Sequence, residues 1–159
     1  MNYDAWIARL TGKDAKTAYA FAQQITEESR ASDAWYPCFD RFAALLRHKN
    51  SLVRSWAISI LAANARWDEE GKFDALLEEF LSHVTDEKPI TARQCAASLP
   101  EIAEAKPTLI PRIRAYLERA DISGYPDSMR PLLQKDIAAV LDKIDSMAGS
   151  RSVQERNKR

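Results

Sequence analysis

Glycine, cysteine and histidine are scarce in this 159-residue chain, which carries four, two and two of them. Structural zinc draws on paired Cys or His ligands at short spacing, and no such pairing is present. Cys38 and Cys95 each sit among apolar residues in helical patterns. They are expected as reduced core thiols, which makes a cytoplasmic address the expectation. Net charge is also missing, because 23 basic residues balance 23 acidic ones. Without a global field, affinity for nucleic acid or an anionic membrane would need a local patch. No stretch approaches the roughly 18 consecutive apolar residues that span a bilayer. The opening MNYDAWIARL is interrupted by Asp4 and Arg9, so it is not read as a secretory signal. Neither a Gly-x-Ser-x-Gly turn nor a Gly-rich phosphate loop occurs, which removes the usual sequence marks of nucleophilic hydrolysis and nucleotide binding.

What is present is an apolar content of 46% with 29% charged residues, the composition of one folded domain with a substantial core. Ala, Leu, Glu, Lys and Arg dominate the periodic stretches, and alternating runs rich in Val, Ile and Thr are missing, so helices are expected and strands are not. The spacing predicts eight helices, over 3–10, 14–29, 35–46, 51–66, 72–84, 90–103, 109–120 and 128–147. Gly12, Gly71, Gly124 and Gly149 fall between these patterns. Ser51 and Ser128 are candidate N-caps, and Pro89 and Pro107 stand at plausible starts. Pro37, Pro111 and Pro131 fit first turns, where a missing amide hydrogen costs little. Pro100 lies inside the sixth pattern, where a kink or an earlier end is expected.

The chain also repeats itself. Trp35, Cys38, Phe39, Phe42 and Leu46 return 38 positions later as Phe73, Leu76, Leu77, Phe80 and Val84. In the helices that follow, Val53, Arg54, Ala57 and Ile60 return 39 positions on as Ala92, Arg93, Ala96 and Leu99, and a weaker third copy reads Lys135, Ala138 and Leu141 at a further 42. An apolar helix, a short polar turn and then Val-Arg-x-x-Ala, clearest in SLVRSWAISILAANA and looser in ITARQCAASL, resembles the HEAT repeat of the armadillo-type solenoids. The match is good over residues 33–103, fair over 107–147 and poor over 3–29. The resemblance implies an all-α fold, a right-handed α-α superhelix of about four HEAT-like helix pairs, with first helices on the convex layer and second helices on the concave one. The expected organisation is a single solenoid domain over 1–148 and a flexible basic tail over 149–159, where Arg151, Arg156, Lys158 and Arg159 outnumber Glu155.

The repeat puts Arg54, Arg93 and Lys135 at equivalent places on second helices. Either they form a basic ladder on the inner face, or each pairs with a neighbouring acid or carbonyl and fixes packing. With Trp56 and Gln94 they are the candidate partner-binding residues, and Trp67 is a further aromatic beside them. His83, Asp86 and Cys95 can be drawn as a metal trio, against the plainer reading of a helix end, a cap and a core thiol, and no metal or other cofactor is expected. Acidic pairs such as Glu69 with Glu70 or Glu78 with Glu79 read as solvated helix surface. The expected function is therefore a non-catalytic scaffold that takes a protein or peptide partner, as a monomer or weak homodimer, with no membrane contact. The alternative is nucleic-acid binding, on a resemblance to the HEAT-like alkylpurine DNA glycosylases, although their catalytic residues find no match. A cofactor-handling role, by likeness to HEAT-like proteins of bilin attachment or iron–sulfur assembly, ranks last.

Overall fold

In the computed structural model the chain is all-helical. It describes the backbone of residues 2–157 and the side chains of residues 2–147. Eight α-helices follow in order: α1 (Tyr3–Leu10), α2 (Ala15–Ala31), α3 (Phe39–Ala44), α4 (Ser51–Asn64), α5 (Lys72–Leu81), α6 (Pro89–Ala105), α7 (Ile110–Arg119) and α8 (Arg130–Asn157). No strand occurs among the described residues. All eight expected helices are in place; α3 and α7 are entered through 3-10 turns at Tyr36–Cys38 and Pro107–Leu109, and α3, α4 and α5 end in 3-10 turns at Leu45–Arg47, Ala65–Trp67 and Ser82–Thr85. Tightening of this kind satisfies terminal carbonyls that an α-helix leaves bare. The tail expected over 149–159 falls on residues whose side chains, and at 158–159 whose backbone, lie outside the described set.

Local chemistry accounts for the boundaries. Asn2 and Asp14 cap α1 and α2, the Asp14 carboxylate accepting from the Thr17 amide at 3.2 Å. At α4 the cap is Asn50, whose Oδ1 accepts from the Leu52 amide at 2.9 Å, and not Ser51 as expected; Ser51 is already the first helical residue. Similarly, α8 begins at Arg130, two residues beyond Ser128. The buried carboxylate of Asp68 accepts from the amides of Lys72 and Phe73, at 3.0 and 2.7 Å, and from the Tyr36 hydroxyl at 2.6 Å. One side chain thus starts α5 and ties it to the segment that leads into α3. Between Asp68 and α5 the chain turns through Gly71 at φ +78°, a conformation that a side chain would strain. Pro89 takes the first position of α6, and of the kink or earlier end expected at Pro100 the earlier end does not occur, since the helix runs on to Ala105.

The contacts divide the chain into two compact units, Met1–Phe80 and Leu81–Arg159. In the first, Trp35, Cys38, Phe39, Phe42 and Leu46 are all buried, as are Phe73, Leu77 and Phe80 of the second copy, while Leu76 is half-buried. Phe39 meets Phe73 at 5.9 Å between ring centres, so the repeated apolar face is a packed aromatic seam. Helices α2 and α4 pack together. Their C-terminal ends adjoin, since Trp67 Nε1 donates to the Ser29 carbonyl at 2.6 Å and Arg66 to that of Arg30 at 3.1 Å.

In the second unit α6 packs on α8, and α7 packs back along α8. Ala92 clusters with Leu133 and Tyr125, Arg93 pairs with Asp136, and Ala97 with Pro100 lies beside Ala139 and Val140. The contacts advance in step from both N-termini, so α6 and α8 run parallel. Leu133, Val140 and Ile144 are buried in α8, with Ile137 half-buried. They match Ala92, Leu99 and Ala103 of α6, with Ala96, at an offset of 41. The offset of 42 expected from the sequence is therefore one residue too long. It would place the exposed Ala138 opposite the buried Ala96.

Candidate groove between α6 and α8

The residues singled out in the sequence differ in burial and bonding once packed. Arg54 is only 6% exposed, and its Nη1 donates to the carbonyls of His48 at 2.9 Å and Lys49 at 3.2 Å. Its guanidinium holds the turn ahead of α4, the packing role weighed against the ladder above. Trp56 is half-buried on the same helix, and Trp67 spends its indole N–H on Ser29. Lys135 is exposed on α8, but under the 41-residue register the counterpart of Arg93 is Gln134.

Arg93 and Gln94 do come together, at a groove between α6 and α8. Two adjoining hollows of about 300 and 200 Å³ share Ala97 and Asp136. The first is bordered by Ile90, Arg93 and Gln94, the second by Pro100, Ala139, Val140 and Lys143. Small side chains at Ala97 and Ala139 create the depression. At its middle Arg93 Nε lies 2.7 Å from Asp136 Oδ2 and Nη2 3.4 Å from Oδ1, a two-pronged clasp that neutralises both charges. The bond to Asp136 raises the Arg93 pKa, with the carboxylate charge adding to it. Ile90 stands 77% exposed at the N-terminal end, the most open large apolar side chain among the described residues, and Leu132 is 37% exposed on the third residue of α8.

The corresponding face of α4 is closed. Residues 93, 97 and 100 answer to Arg54, Ile58 and Leu61 at the 39-residue offset, and all three of those are buried. The α6 copy carries Ala97 and Pro100 where α4 carries two large aliphatics. Smaller side chains and an exposed position leave an open surface where the other copy is filled. Sequence reasoning missed this groove, although the exchange of Ile and Leu for Ala and Pro within the repeat was a visible signal of it.

A second cleft, of about 440 Å³, lies between the turn into α6 and the loop into α8, lined by residues that include Thr85, Glu87, Lys88, Asp121 and Tyr125. Tyr125 donates its hydroxyl to the Asp86 carbonyl, binding one loop to the other. Burial, with the Asp86 carboxylate adding negative charge, pushes the phenol up to about 12. His83 Nδ1 lies 2.8 Å from Asp86 Oδ2, whose other oxygen accepts from the Lys88 amide at 2.9 Å. These bonds describe a loop clasp. Cys95 is fully buried and its pKa is raised, first by desolvation and then by Asp86. Cys38 is buried and raised by the same cause, so neither thiol is set up as a nucleophile. His48 Nδ1 accepts from the Asn50 amide at 3.0 Å. Among the described residues no group of three or more His, Cys, Asp or Glu side chains is placed to hold a metal ion, and no helix is long and apolar enough to cross a membrane.

Compared with known proteins, the chain matches no family model, no curated protein and no solved structure.

Proposed function

We propose that this protein is a non-catalytic HEAT-like solenoid, a right-handed superhelix of helix pairs that binds a segment of another protein on the concave face of its second helices, with the α6/α8 groove as the contact. The parallel course of α6 and α8, the adjoining C-terminal ends of α2 and α4, and the 38-, 39- and 41-residue registers support the repeat. Buried thiols and histidines engaged in local turns support a binding role over a chemical one.

One observation carries the reading: the groove mixes apolar surface with a cation that already has its own carboxylate. Ile90, Ala97, Pro100, Ala139 and Val140 give side-chain pockets, and Arg93 is held by Asp136. A phosphate backbone is met by rows of uncompensated positive charge, whereas this mostly apolar lining carries one unpaired lysine, Lys143, beside the Arg93–Asp136 pair, which favours a peptide over nucleic acid.

The test is selection of a displayed random peptide library on immobilised protein, followed by rebinding to Ala97→Arg, which fills the depression from an exposed position. Enriched peptides should lose at least about tenfold in affinity on that variant, since the hollow is where their anchor sits. No enrichment, or peptides indifferent to Ala97→Arg, contradicts the reading. A labelled DNA duplex serves as the opposing arm: binding that weakens steeply with salt would favour nucleic acid instead.

A further inference from the structure

Resting on the peptide-binding reading, we infer that the occupant of the α6/α8 groove is an amphipathic α-helix that seats an aliphatic or aromatic side chain between Ala97 and Ala139 and brings a carboxylate to Lys143. The first argument is backbone chemistry. Both walls of the groove are α-helices whose peptide groups already bond within their own helix, so no row of free N–H and C=O groups is offered to an extended strand. A helical partner satisfies its own backbone and presents only side chains, which is what these walls can read.

Shape gives the second argument. The hollows run along α6 from Ile90 to Pro100, about 15 Å at 1.5 Å per residue, the length of roughly three turns of helix. Within that length they centre on small residues, Ala97 on α6 and Ala139 on α8, bordered by Pro100 and Val140. A hole framed by side chains of two parallel helices accepts a knob from a third. Exposed Ile90 and Leu132, at the N-terminal ends of the two walls, give the same partner a second apolar contact about two turns away. That spacing asks for apolar side chains at i, i+3 or i+4, and i+7 of the incoming helix.

Charge gives the third. Along the groove Arg93 and Asp136 satisfy each other, whereas Lys143, exposed and one turn beyond Ala139, makes no ion pair or hydrogen bond among the described residues. It is the uncompensated charge on the lining. An acidic residue three or four positions from the anchoring side chain complements it, and a basic one there is repelled.

The peptides enriched by display test this directly. Supporting results are an apolar repeat of helical period, loss of binding when a central residue is replaced by proline, a five- to tenfold weakening on Lys143→Glu, and recovery when the peptide's acid is changed to Lys. Lys143 is exposed, so the reversal leaves the fold intact, which circular dichroism checks. Peptides that lose binding on Ala97→Arg but tolerate proline, or ignore Lys143→Glu, overturn the helical acidic partner while leaving peptide binding standing. If no peptide is enriched at all, both fall.

Discussion

The repeat places Arg54 and Arg93 at one register, yet substituting them should have opposite consequences. Arg54 is buried and donates to two carbonyls of the turn before α4, at 2.9 and 3.2 Å. Hydrogen bonds from a charged group contribute about 1.5–3 kcal/mol net, and the buried aliphatic stem adds about 1 kcal/mol of packing. Part of that is recovered in Arg54→Ala, because Lys49 is exposed and its carbonyl can turn to water. A loss of about 2–4 kcal/mol remains, which for a chain of this length lowers the melting temperature by about 5–15 °C. Arg93 pairs with Asp136 at the surface, where an ion pair is screened and its disruption is nearly neutral, so Arg93→Ala should shift melting by under about 2 °C. Differential scanning calorimetry of both variants, with peptide affinity measured alongside, separates the two roles. Arg93→Ala should change binding and leave melting alone; Arg54→Ala should do the reverse. Equal melting for both variants, or an Arg54→Ala protein as stable as the parent, would refute the assignment of Arg54 to packing.

Three other outcomes follow from the packing. Asp68→Ala removes a cap worth about 1 kcal/mol and strands the Tyr36 hydroxyl, for a combined loss of about 2–4 kcal/mol by denaturant unfolding; Tyr36→Phe in the same background should restore part of it. Because the folded pKa of Tyr125 is pushed up to about 12 from 10.0, the folded state holds a proton that the unfolded state has released, so this contribution is complete below pH 10 and is lost between pH 10 and 12. Unfolding across that range should show a steeper alkaline decline in the parent than in Tyr125→Phe. Cys38 and Cys95 should react with a thiol reagent only as fast as the protein unfolds, and rapid modification of either in the native state would contradict their burial.

Helix positions were legible because glycines, prolines and short polar residues mark their ends, and the 38-residue echo of Trp35–Leu46 in Phe73–Val84 identified a face that is indeed buried. What periodicity could not resolve was rotation. A single residue of offset turns a helix by about 100°, enough to move Lys135 away from the place of Arg93 and to set Leu133, Ile137, Val140 and Ile144 on the core face. Likewise a shared motif does not determine what covers it. Arg54 and Arg93 occupy the same repeat position, but Ile58 and Leu61 accompany one and Ala97 and Pro100 the other, so the first is enclosed and the second stands open. Caps showed the same limit on a smaller scale: Asn50 and Ser51 are both capable, and the backbone uses Asn50.

The most direct measurement is amide chemical-shift mapping of isotope-labelled protein on titration with an enriched peptide. Shifts should concentrate at Ile90, Arg93, Gln94, Ala97, Ala139 and Lys143 and saturate together with a single affinity. Shifts centred on α1 to α3, or on the loop clasp around Asp86 and Tyr125 with the α6/α8 residues unmoved, would contradict the groove as the binding surface.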